Sequence, residues 1–131
     1  MAPDARTLLN IVSNCQSELR ICAYELGQTR WTHSLQLDGG SPELGFEGVL
    51  SPSILVQRGE HLTLQASVNL HWGELGWMVN ADIGQSDDRD EDSYHWLWQA
   101  APVHCESLDV ALRALAQATG ELIAALKNLE L

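Results

Sequence analysis

The stretch Leu62–Trp72 constrains the fold more than any other part of the chain. Leu62, Leu64, Ala66, Val68, Leu70 and Trp72 take alternate positions, and Thr63, Gln65, Ser67, Asn69 and His71 fill the places between. Successive side chains of a strand point to opposite faces, so this pattern predicts a long strand with one apolar and one polar face. A sheet of such strands is antiparallel, because parallel sheets bury both faces and read as continuous apolar runs.

The neighbouring segments extend this reading. Trp31–Leu37 alternates and is expected to be a strand, followed by a loop at Asp38-Gly39-Gly40-Ser41-Pro42. Gly45–Leu50 and Ile54–Arg58 are expected as two short strands. Ser51-Pro52-Ser53 is then a turn, or a bulge in one longer edge strand, since proline is excluded from central strands. Gly73-Glu74-Leu75-Gly76 predicts a hairpin connection into a strand at Trp77–Ile83. A polar loop at Gly84–Asp92 and a last strand at Ser93–Gln99 complete the run.

Helices are expected at both ends. Leu8, Ile11, Val12, Cys15, Leu19, Cys22 and Leu26 recur at helical spacing within Ala5–Leu26, with Asp4 as N-cap and Gly27 as stop. Leu108, Leu112, Leu115, Thr119, Leu122, Leu126 and Leu129 do the same behind a Ser107 cap, with Asp109 in the first turn. Gly120 is read as a position of close packing on the sheet. The expected architecture is a single α+β domain spanning 1–131. It is an antiparallel meander of five to six strands, flanked by N- and C-terminal helices packed on one face.

Composition narrows the function. The 131 residues hold 18 acids against 7 bases, a net charge of −11. A surface this acidic is repelled by nucleic acid and anionic membranes and suits a basic protein partner. No apolar run approaches the ~20 residues that span a bilayer, and the first residues lack a basic and apolar leader, so a cytoplasmic location is expected. Cys15, Cys22 and Cys105 are odd in number and show no metal spacing. They read as small buried hydrophobes.

The densest charge is Asp87-Asp88-Arg89-Asp90-Glu91-Asp92, five acids in six residues. Asp88, Asp90 and Asp92 are spaced like the start of a calcium loop. Ser93 then stands where that loop needs glycine, and Gln99 where it needs glutamate, so no metal is expected. The five histidines form no zinc pattern. No nucleophile elbow or phosphate loop is present, so neither a catalytic residue nor a cofactor is assigned. The candidate contact residues are Asp82, Asp87, Asp88, Asp90, Glu91 and Asp92, clustered carboxylates that steer a cationic partner, with aromatic support from Tyr94. Tyr94, Trp96 and Trp98 are expected on one face of the last strand, as a buried stripe. If Leu97 points inward instead, they form an outer binding patch.

Val68-Asn69-Leu70-His71-Trp72-Gly73-Glu74-Leu75-Gly76-Trp77, the strand after it and the Ser107-Leu108-Asp109 opening of a Leu-rich helix resemble small bacterial immunity proteins of contact-dependent and other polymorphic toxin systems, the tryptophan-rich TriTu type among them. The resemblance covers roughly residues 62–126. It implies a cytosolic protein that binds and neutralises one toxin domain and catalyses nothing. The alternative is a type III-like secretion chaperone, similar in size, acidity and flanking helices, which would bind an effector segment as a homodimer. A monomer is the expectation for the immunity reading.

Overall fold

The computed structural model of the chain describes residues 4–25, 31–38, 43 and 45–129. The N-terminal helix α1, Ala5–Glu25, starts where the Asp4 carboxylate accepts the Thr7 N–H at 2.8 Å. This bond also holds the Asp4 pKa below its ordinary value. Ile11, Cys15, Leu19 and Cys22 form its buried face. The expected stop at Gly27 and the loop at 39–42 lie outside the described residues.

Strands β1 (Trp31–Asp38), β2 (Gly48–Arg58), β3 (Leu62–Gly73), β4 (Gly76–Asp87) and β5 (Asp90–Gln99) form an antiparallel meander in that spatial order. A short β6, Val103–Cys105, also pairs with β4. It continues the line of β5, since the Ala100 N–H donates to the Ala81 carbonyl between the two paired segments. Helix α2, Leu108–Asn128, closes the chain. Its first turn is capped by the Ser107 hydroxyl, which accepts the Val110 N–H.

The apolar stripes of the strands meet both helices in one core. Ile54, Val56, Leu64, Ala66, Val68, Leu70, Val79, Ala81 and Ile83 are buried from the sheet, and Leu115, Leu122 and Leu126 from α2. Trp72 and Trp77 face each other across the β3–β4 hairpin, ring centres 6.5 Å apart, and both are buried. Between the helices the Cys15 thiol lies 3.9 Å from the Thr119 hydroxyl, which donates to the Leu115 carbonyl. The architecture is thus the α+β arrangement expected from the periodicities.

Four local expectations need correction. Residues 48–58 make one strand, and Pro52 sits in its middle with neighbours on both sides. The ladder to β3 pairs Leu50 with Leu70 and Ser53 with Ser67 but leaves Ser51 and Pro52 unpaired on that side, so a gap accommodates the missing proline N–H. Gly84–Asp92 is not a loop. β4 runs to Asp87, the turn is Asp88-Arg89, and β5 begins at Asp90. Gln85, Ser86 and Asp87 are half-buried, so no apolar face is required there and the alternation that marks a strand disappears. A Cβ on Gly120 would meet open space, so this glycine serves no close packing. The fourth correction concerns the aromatics of β5.

Candidate functional site

The decisive feature of β5 is a bulge. Trp98 pairs with Ile83, but Trp96 pairs with Gly84, so Leu97 and Trp98 together stand where a regular strand has one residue. An extra residue changes the phase of everything beyond it. Leu97 and Trp98 both pack against the core, whereas Tyr94 and Trp96 emerge on the outer face, 43% and 50% exposed. The expected single stripe is therefore split. One tryptophan goes in; a tyrosine and a tryptophan go out.

Gly84 makes room for this pair. A Cβ there would run into the hydroxyl and ring of Tyr94, so the ring lies directly over the glycine backbone. Glycine within a strand commonly marks such an approach. Tyr94 and Trp96 meet edge to face, ring centres 5.2 Å apart and planes at 89°, a favoured aromatic geometry.

Next to them on the outer face, Asp82 is half-buried. Its carboxylate accepts the Ser67 hydroxyl at 2.9 Å and the Asn69 amide at 3.4 Å. Asn69 also donates to Asn80 at 2.8 Å. Burial raises the Asp82 pKa despite these two donors. Burial, with the Asp82 charge as second cause, raises that of Tyr94. Further along β3, Phe46 covers His71 with ring centres 5.0 Å apart. The His71 Nε2 is buried without a hydrogen-bond partner among the described residues. Burial lowers the His71 pKa, and the Asn80 side chain offsets part of this.

The Asp82 shift has a definite sign for stability. The folded chain holds this proton more tightly than the unfolded chain, so stability falls as pH rises from the ordinary value of 3.8 through the raised pKa. Asp82→Asn should therefore be more stable than wild type at neutral pH. Its advantage should shrink as pH approaches 3.8. Chemical denaturation across this range measures the gap, and a gap that widens on acidification contradicts the assignment.

The acidic tip is more ordered than its composition suggests. Arg89 grips the Asp87 carboxylate through its Nε at 3.0 Å, its terminal nitrogen at 2.7 Å and its backbone N–H at 2.9 Å. These contacts hold Asp87 well below the usual carboxylate range. Asp90 accepts the Asp92 N–H at 3.0 Å, and Thr63 donates to Asp88 at 3.4 Å. The Asp88 N–H donates to the His61 carbonyl at 2.7 Å, which ties this tip to the β2–β3 turn. The Ser93 hydroxyl accepts the Asp87 N–H and donates to the Asp90 carbonyl, both at 2.7 Å.

The candidate residues thus fall into two places. Asp88, Asp90 and Asp92 are exposed at the tip, while Asp87 is already neutralised by Arg89. Asp82 and Tyr94 lie together on the outer face. The Glu91 side chain lies outside the described residues. Sequence reasoning missed Ser67, Asn69 and Asn80 as a connected group, although their placement on the polar side of β3 and β4 was a usable signal. Among the described residues, no three His, Cys, Asp or Glu side chains group to hold a metal ion. No described helix is long and apolar enough to cross a membrane. Comparison with protein-family models, curated proteins and solved structures finds no match to this chain.

Proposed function

We propose that the chain is a cytosolic bacterial immunity protein, non-catalytic and monomeric, that binds and neutralises a cognate basic toxin domain. The observation that carries this reading is the make-up of the β4–β5 hairpin. It joins exposed carboxylates at its tip to an exposed tyrosine–tryptophan pair on its outer face. Aromatics that present their faces to water from a rigid strand supply binding energy at small entropic cost. Carboxylates beside them steer a cationic partner and fix its orientation. The net charge of −11 extends the same attraction over the whole surface.

The experiment is co-purification with the product of the adjacent gene, followed by binding kinetics at two salt concentrations. Replacing Asp88, Asp90 and Asp92 together by Asn should slow association on the order of tenfold at low salt and flatten its salt dependence. The exposed positions of these residues leave the fold intact. An unchanged association rate at low salt would place the contact elsewhere. A stable homodimer holding an unfolded client segment would instead support the secretion-chaperone alternative.

A further inference from the structure

Asp82 combines two properties that rarely coexist without a partner. It is half-buried, and among the described residues the groups that act on its carboxylate are Ser67 and Asn69, with no cation beside them. Its two hydrogen-bond donors, Ser67 and Asn69, are neutral. A carboxylate has about four acceptor positions, so capacity for further donors remains. Tyr94 lies over Gly84, near enough to Asp82 to feel its charge, and Trp96 stands opposite Gly84, the next outward position on β4 and so diagonal to Asp82, whose own cross-strand partner is Gln99.

We propose that this corner of the outer face seats one arginine side chain of the basic partner, its guanidinium lying on Trp96 and donating to the Asp82 carboxylate. The proposal rests on the reading of the protein as a binder of a basic protein domain. Charge selects the occupant. A second copy of this chain, at −11, is repelled, as is any polyanion. Geometry selects arginine over lysine. A planar guanidinium can stack on an indole while its edge bonds a carboxylate, and it sheds water more readily than an ammonium. Within this seat Tyr94 also orients the stacking ring, because its edge-to-face contact fixes Trp96.

The test uses the isotope-labelled full chain and a short blocked peptide with a single arginine, alongside its lysine and citrulline twins. The arginine peptide should shift the Trp96 indole and Asn69 amide resonances, with a dissociation constant on the order of millimolar. Asp82→Asn and Trp96→Leu should each weaken it by about tenfold. Trp96 is exposed, so its replacement leaves the core untouched. The citrulline twin should produce no shift, and the lysine twin a smaller one. Equal shifts from arginine and citrulline, an arginine titration indifferent to Asp82→Asn, or shifts confined to Asp88, Asp90 and Asp92 would each overturn the seat. A lysine peptide binding better than arginine would overturn the choice of guanidinium. If the adjacent gene product binds wild type and both variants equally, the seat is wrong and the immunity reading stands. If the arginine peptide binds as expected and that product does not, the seat stands and the immunity reading falls.

Discussion

Leu64→Ala and Leu70→Ala should each cost about 2–5 kcal/mol of stability, the range for emptying a leucine-sized space in a rigid core. Both side chains are fully buried. Leu70 stands opposite Leu50 on one side and Val79 on the other, and Leu64 stands opposite Val56. Each is held by strands on two sides and by the helical layer above, so the surroundings have little freedom to collapse into the void. The shift should appear in the denaturant midpoint with an unchanged slope, because the surface exposed on unfolding hardly changes. A loss below about half a kcal/mol at both positions would contradict the burial assigned to this strand.

Gly73→Ala should be nearly as damaging, about 1–3 kcal/mol, for the opposite reason. A Cβ at Gly73 would meet the Gly45 carbonyl oxygen, with the Gly45 carbonyl carbon 2.9 Å and the Phe46 α-carbon 3.1 Å away. All three are backbone atoms, so no rotamer change relieves the clash. The segment at 45–47 must lift, which breaks the 2.8 Å bond from the Glu47 N–H to the Trp72 carbonyl. Phe46 would then leave His71. The unfolding midpoint should fall, and one further reading separates this outcome from general destabilisation: a His71 pKa that returns toward its ordinary 6.5 as the ring regains water. A variant with wild-type stability would show that the 45–47 segment does not rest on Gly73.

Most of the fold is legible in the sequence because its signals are periodic. The two-residue repeat of Leu62–Trp72 and the helical repeat of Leu108–Leu129 each record one buried face, and both faces lie where those repeats put them. What periodicity cannot express is a change of phase. The extra residue at Leu97–Trp98 leaves no compositional mark, so an unbroken alternation from Tyr94 to Trp98 suggested one aromatic face where there are two. Beyond Ile83 the opposite failure occurs. The β4–β5 hairpin continues where neither side needs apolar residues, and a strand of Gln, Ser and Asp reads as a loop. Pro52 misleads because its cost depends on whether its nitrogen faces a filled or an empty rung, which only the paired strands determine. The Asp82 cluster is a property of cross-strand neighbours, so it emerges only once the register of β3 against β4 is known.

The irregular pairing of β5 and β6 also bears on how the protein behaves when abundant. A straight, unpaired border of a sheet invites a second identical chain to dock along it, the first step toward aggregates. Here the ladder along β4 shifts between Ile83 and Gly84 and again between Gln85 and Asp87, and Ala100–Pro102 separates the two paired segments. The first residues of β5 are moreover acidic, so identical borders repel. The hairpin that presents aromatic rings to solvent is thus poorly shaped to template its own copies. The exposed rings stand on a strand whose own backbone border is uneven, so exposure of apolar side chains is uncoupled from self-pairing of the sheet.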